Sequence, residues 1–309
     1  MRIFSNVPNI NFMAQRKTGL RVSAALTVGV ILLLIFRGLN FGIDFTGGVL
    51  VEVLYPQSVE LDSVRHDLSG GGYPNAIVQY FGGSSDVLIR LAPDKKDSSA
   101  AISSHVLEAL GAQAKGIQLK RIEFVGPQVG DELTVNGALA MLYAFIGIMI
   151  YIAFRFQWKF GVGAIAALMH DALMVLGFLS IFWVEFDLTT LAAILALIGY
   201  SNNETIVIFD RVRENMISQR KGTIYDIVNL SVNQTLLRSV ITHVTTLLVC
   251  TALFILGGPS VHSFSVAMIV GVIVATYSSI YISTGLAIVF GITREDLLPP
   301  KAREIDEMP

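Results

Sequence analysis

The sequence is poor in charge and in cysteine. Only 15% of its 309 residues are Asp, Glu, Lys or Arg, against about 25% in ordinary soluble domains, which excludes a water-soluble globular fold. A formal net charge of −2 leaves no basic footprint, so nucleic acid is excluded as a main partner. The single cysteine, Cys250, lies in an apolar run. It allows no disulfide framework, no cysteine-based zinc site and no CxxC pair, and reads as a small packing residue. The chain also lacks a Walker A loop, a GxSxG elbow and an HExxH helix. ATP hydrolysis and standard hydrolase chemistry have no support, and the expectation is a non-enzyme with no cofactor and no metal.

What the chain has is apolar length: 53% of residues are hydrophobic and the mean hydropathy is +0.63. A membrane-spanning helix needs about 20 mostly apolar residues, and six runs qualify, at about 18–36, 133–154, 160–184, 188–209, 240–256 and 264–292. The first is too long for a signal core and has no small-x-small cleavage site after it, so it is expected to be retained. The predicted fold class is a polytopic α-helical membrane protein with six transmembrane helices.

Lys and Arg set the orientation. They occupy alternate short connections: Arg16 and Lys17 before the first helix with Arg2, then Arg155 and Lys159, then 211–238, then Arg294, Lys301 and Arg303. The opposite short loops, 185–187 and 257–262, carry none. Both termini (1–17 and 293–309) are expected in the cytoplasm, and the long segment 40–132 outside. In that segment strands are expected at 49–55, 76–81, 87–91 and 117–124, with helices at 61–68 and 98–110 and a hairpin turn at Gly82 and Gly83. The order β-α-β-β-α-β is the ferredoxin-like, split βαβ arrangement. Residues 211–237, with Ile217, Ile224, Ile227, Val228, Leu230 and Val232, are expected to form a cytoplasmic amphipathic surface helix, and the tail 293–309 to be disordered.

An ionisable group inside a span costs at least about 2.5 kcal/mol on insertion scales and is a functional hypothesis by default. In the fourth run, Glu204 follows Asn202 and Asn203, with Tyr200 and Ser201 on its helix face and within hydrogen-bonding reach. Arg238 enters the fifth run at comparable depth. If the two helices are neighbours, Glu204 and Arg238 form either a proton-handling pair, because a movable cation tunes a carboxyl, or a static ion pair. His170 and Asp171 near the centre of the third run point about 100° apart, which suits a relay, an interhelical hydrogen bond or plain packing polarity better than a metal. His243 and His262 read as hydrogen-bonded structural histidines. Small residues every fourth position, at Ala267, Gly271, Ala275, Ser279 and Ser283 and again at Gly137, Ala140, Ala144 and Gly147, allow close helix approach within a bundle or against another subunit.

Four segments together resemble the SecD/SecF family of protein-export membrane proteins, and its SecF branch in particular. They are Phe41-Gly-Ile-Asp-Phe-Thr-Gly-Gly48, Phe124-Val-Gly-Pro-Gln-Val-Gly130, His170-Asp171 and the stretch from Gly199 to Glu214. The likeness extends over nearly the whole chain. It implies a bacterial inner-membrane subunit of the resistance-nodulation-division superfamily, which with SecD completes a twelve-helix unit beside the Sec translocon. That unit uses the proton-motive force to help draw unfolded secreted polypeptides across.

Carried over by the resemblance, the proton-coupling residues are Glu204 and Arg238, with Asn203 and Asp171 beside them. The family usually has Asn-Asp where this chain has Asn203-Glu204. Asp44, Gly47, Gly48, Gly126, Pro127 and Gly130 are expected to form the hinge motif that ties the head to the first two helices, or simply to turn the chain at the membrane surface. A non-energised scaffold for SecD or the translocon and a small-molecule/proton antiporter are the alternatives.

Overall fold

The computed structural model describes residues 8–81, 83–92, 99–155, 158–219 and 222–293. The tail from 294 onward, Arg2, Arg220, Lys221 and Gly82 of the expected hairpin turn lie outside these residues. Helices α1 (Arg16–Arg37), α6 (Pro127–Arg155), α7 (Trp158–Phe182), α8 (Leu188–Ser218) and α9 (Ile224–Leu256) each cover one apolar run. The last run is a composite: α10 (His262–Ser278), a π-helical turn at Ser279–Ser283 and α11 (Thr284–Val289). These make six segments long and apolar enough to cross a membrane. The chain is a polytopic helical membrane protein.

The helices divide into an inner and an outer set. Between 50% and 56% of the most apolar stretch of α7, α8 and α10–α11 is enclosed, against 11% to 17% for α1, α6 and α9. The small-residue face of the last segment lies inside, with Ala267, Ala275, Ser279 and Ser283 buried against the bundle. The matching face of α6 does so only at one end: Gly137 is buried, with Leu191 of α8 2.9 Å from where its Cβ would stand, whereas Ala140 and Gly147 are exposed.

The structure corrects the reading of 211–237. Instead of a separate surface helix, α8 runs on to Ser218 and α9 starts at Ile224. At 1.5 Å per residue α8, 31 residues long, measures about 46 Å, well beyond a hydrocarbon core of about 30 Å. Side chains tie the two extensions together: Asn215 donates to Ser231 Oγ and Gln234 Oε1 at 2.8 Å each, and Arg211 donates to Gln234 Oε1 at 2.6 Å. A capping box between Thr223 and Asp226 opens α9, satisfying amide hydrogens that the first turn of a helix leaves free. Apolar positions that suggested a membrane-surface face, Ile227, Val228 and Val232, are buried in the bundle core.

Residues 48–125 form an α+β head. Its sheet has strands β2 (Gly48–Leu54), β3 (Ile77–Phe81), β4 (Gly83–Leu91) and β5 (Gln118–Val125) in the antiparallel order β3-β4-β2-β5. Helices α3 (Leu61–Gly70), α4 (Ser99–Ala109) and the short α5 (Ala112–Lys115) cover one face. Val49, Val51, Val53, Val87 and Ile89 pack there against Val64, Leu68, Val106 and Leu110. Strand alternation sends Leu50, Glu52, Leu88 and Arg90 to the other face, where Leu50 and Leu88 pack on Ile43 of α2 (Ile43–Thr46). β4 begins earlier than its apolar core suggests, because Asp86 pairs with Leu54 and the Ser85 and Ser84 carbonyls accept from the Tyr55 and Val59 amides.

A second, parallel ladder joins the end of α1 to the α7–α8 loop: β1 (Asn40–Phe41) pairs with β6 (Glu185–Phe186). The head thus stands on two membrane connections at once.

Candidate functional site

The polar centre of the bundle is built around α8. Its N-terminal end is capped twice: Asp187 accepts from the Thr190 amide at 2.7 Å, and Asp44 accepts from the Leu188 amide at 2.9 Å. Fourteen positions in from the helix start, Ser201 donates to Asp171 Oδ2 of α7 at 2.6 Å. Ser278 of α10, at the entry to the π-helical turn, donates to the same oxygen at 2.8 Å. His170 Nδ1 lies 3.4 Å from Asp171 Oδ1. Asp171 is 1% exposed. It is a carboxyl held by hydroxyls from two other helices.

One turn further along α8, Glu204 is buried and accepts a short hydrogen bond from Ser239 Oγ of α9. His243, one turn beyond Ser239, brings its Nε2 to 3.8 Å from Glu204 Oε2. Its Nδ1 meets Thr276 Oγ1 of α10 at 2.9 Å, and its ring lies 5.5 Å from that of Tyr200. The partners expected from sequence are different. No ion pair joins Glu204 to Arg238: Arg238 is exposed, and the adjacent Ser239 takes its place because successive helical positions point about 100° apart. Ser201 shares a turn with Glu204 but turns to α7, and the Tyr200 ring packs at a tilt of 47° against that of His243. Asn203 is exposed and Asn202 buried, so of the two amides the bundle encloses the other one. Among the described residues no group of three or more His, Cys, Asp and Glu is placed to hold a metal.

At the head–membrane junction the hinge-motif residues come together. Gly47 has φ +67°, and a Cβ there would sit 3.0 Å from the Pro127 Cα. A Cβ on Gly130 would sit 2.8 Å from the Gly47 nitrogen. The two glycine motifs are therefore in backbone contact, and side chains are excluded from that contact by space as well as by conformation. Gly48 also has positive φ and opens β2, whereas Gly126 has open space at its Cβ position.

Beside them lies a contact that sequence reasoning missed. Arg90, 7% exposed, reaches from β4 to Glu185 at 3.0 Å, to Asn40 Oδ1 at 3.1 Å and to the Phe41 carbonyl at 2.6 Å. Arg121 of β5 donates to Ser260 in the α9–α10 loop at 3.0 Å. A buried arginine at the end of an apolar strand was the available signal. A cavity of about 310 Å³ opens here, lined in part by Asp44, Arg121, Glu123, Glu185 and Asp187. Burial pushes the Asp44 and Glu185 carboxyls above their ordinary range, opposed by the Leu188 amide at Asp44 and by Arg90 at Glu185.

This is the architecture of a multi-pass helical membrane protein with an α+β head, and comparison with known proteins narrows it. The family pattern "Protein export membrane protein SecD/SecF, C-terminal" matches residues 105–293, and the "SecD/SecF GG Motif" matches 32–59. Protein translocase subunit SecF of Pseudomonas aeruginosa is 47% identical, over 98% of this chain and 99% of its own length. SecF of Haemophilus influenzae is 45% identical, over 98% and 93%. The crystal structure of SecDF from Thermus thermophilus, described as a translocon-associated membrane protein, superposes with a TM-score of 0.84 at 35% identity. The match covers 93% of this chain and 39% of that one. The chain belongs to the SecF family of protein-export membrane proteins.

Proposed function

We propose that this chain works with SecD in the bacterial inner membrane, using the proton-motive force to assist unfolded secreted polypeptides through the Sec translocon. One observation carries the reading. Two carboxyls, Asp171 and Glu204, are enclosed in the membrane sector with hydroxyl and imidazole partners and, among the described residues, no Lys or Arg counterion. Such groups are costly in lipid and suit a proton path. A fixed scaffold has no use for them.

In this reading both termini are cytoplasmic and the head is periplasmic. The loops that touch the head, 185–187 and 257–262, are those without Lys or Arg, in keeping with the positive-inside rule. The strand order β3-β4-β2-β5, with two helices on one face, supports a ferredoxin-like head. Asn203 and Arg238 are exposed on this chain alone; polar groups at membrane depth call for cover, and the SecD half is the proposed cover.

A proton crossing the full potential releases about 2.3 kcal/mol per 100 mV. Neutralising Glu204 removes the charge that its hydroxyl partner on α9 stabilises and lets α8 shift against α9. The outer end of α8 is bonded to Asp44, and Gly47, Gly48, Gly126, Pro127 and Gly130 supply the flexible and fixed joints of the same junction. A shift of α8 thereby reaches the head.

The test is gradient-dependent translocation of a presecretory protein into inverted vesicles containing SecD and this chain. Glu204→Asp is expected to remain active and Glu204→Gln to lose the gradient-dependent part with assembly unchanged. Full gradient-driven export by Glu204→Gln would leave the subunit as a scaffold and place the proton path in SecD.

A further inference from the structure

His243 has one bonded and one unbonded ring nitrogen, both buried. Its Nδ1 lies 2.9 Å from Thr276 Oγ1, and the Thr276 hydroxyl donates to the Val272 carbonyl at 2.8 Å. A hydroxyl has one hydrogen to give, so with that hydrogen on Val272 the threonine oxygen is an acceptor and His243 Nδ1 carries a proton. Nε2 is either a bare lone pair on a neutral ring or an N–H on a cationic one. It has no hydrogen-bond partner, and it faces Glu204 Oε2 at 3.8 Å.

Two bare acceptors facing each other in a buried site repel. Placing one proton between them, on the carboxyl or on the imidazole, removes the conflict in either case. Glu204 Oε1 is already occupied by Ser239, so Oε2 is the oxygen left for this exchange. The titratable groups in described contact with the ring are Glu204 and Tyr200, both from α8; α10 contributes the uncharged Thr276. Arg238 on the same helix is exposed and unpaired with Glu204.

We propose that His243 shares a proton with Glu204, and that this carboxyl–imidazole pair across α8 and α9 is the unit that loads and releases a proton. The inference rests on the proton-coupling reading of Glu204 and adds the partner that sequence alone gave to Arg238.

The test is infrared titration of the chain in complex with SecD, following the protonated carboxyl band that Glu204→Gln abolishes and the ring modes that His243→Asn abolishes. In His243→Asn the carboxyl band of Glu204 is expected to shift in frequency, and in Glu204→Gln the ring modes of His243 to shift, because each group loses the partner it faces at 3.8 Å. Thr276→Val, which keeps the ring but removes the Nδ1 acceptor, is expected to perturb both sets of bands while the complex stays assembled. Bands that do not respond to the partner's replacement would overturn the pairing. Because this readout needs no translocation, a coupled pair in a complex whose export ignores the gradient would sink the export reading and leave the pair standing.

Discussion

Ser201 Oγ donates to Asp171 Oδ2 at 2.6 Å, while Glu204, three residues along the same helix, accepts from α9. A separation of three positions turns the side chains by about 60°, enough for α8 to address α7 and α10 with one residue and α9 with the other. Two carboxyls on different helices are thereby connected through a single turn of backbone.

Asp171 depends on its two hydroxyls. Removing one leaves a buried carboxylate with one hydrogen-bond donor fewer, a loss of about 1.5–3 kcal/mol for a bond to a charged group. Ser278→Ala and Ser201→Ala are each expected to lower the thermal stability of the detergent-solubilised complex by that order. Asp171→Asn, which keeps size and hydrogen bonding but cannot release a proton, is expected to assemble normally and to lose gradient-dependent export. Normal export by Asp171→Asn would make the node purely structural.

The glycine contact at the junction makes a steric prediction. A methyl on Gly130 would lie 2.8 Å from the Gly47 nitrogen, and one on Gly47 would in addition occupy φ +67°. Overpacking of this kind costs about 1–3 kcal/mol. Gly130→Ala is expected to loosen the junction, read as faster proteolysis within 38–48, whereas Gly126→Ala, with open space at its Cβ position, is expected to be tolerated. Equal protease resistance in both variants would remove the argument from space.

Much of this arrangement is legible in the chain, for reasons that also mark where legibility stops. The six spans are read from length and hydropathy because lipid penalises unpaired backbone polarity over a fixed thickness. Glu204 and Asp171 stand out because they are charged residues in apolar runs. Their partners do not, since Ser239, Ser278 and Thr276 are ordinary helix serines and threonine until the packing of four helices is known. Arg238 was the natural guess for Glu204 by charge, yet it sits one position from Ser239 and on the wrong side of α9. The continuation of α8 and α9 past the apolar runs escapes hydropathy, because bonds such as Asn215 to Ser231 hold it.

Arg90 and Glu185 are unequal partners. Arg90 keeps Asn40 and the Phe41 carbonyl when Glu185 is lost, but Glu185 has no other cation within ion-pair distance among the described residues when Arg90 is lost. Breaking a buried pair costs about 3–5 kcal/mol, and the 13% exposure of the Glu185 side chain places the loss at the low end. Arg90→Gln is expected to cost about 3 kcal/mol and Glu185→Gln distinctly less. Hydrogen exchange of the β1 and β6 amides separates the two: faster exchange in Arg90→Gln than in Glu185→Gln is the expected order, and the reverse would show that Arg90 is held mainly by Glu185.

The same junction has a pH dependence whose sign follows from Glu185. Burial lifts its carboxyl above the ordinary 4.5, with Arg90 pulling it down and Asp187 and Asp44 adding repulsion. Asp44 is lifted above 3.8 in the same way. A carboxyl raised on folding is held protonated more tightly in the folded chain, so between the ordinary and the raised value the folded state binds more protons. Stability therefore falls as pH rises through that window, and the loss is complete above it. Protection of the Gly42 amide, which donates to the Phe186 carbonyl at 2.8 Å, is expected to be greater near pH 5 than near pH 7 after correction for intrinsic exchange. Glu185→Gln carries no titrating group at this position, so its protection should vary less over the same range. A slope as steep in Glu185→Gln as in the unmodified chain would move the pH dependence to Asp44 and leave Glu185 a plain counterion for Arg90.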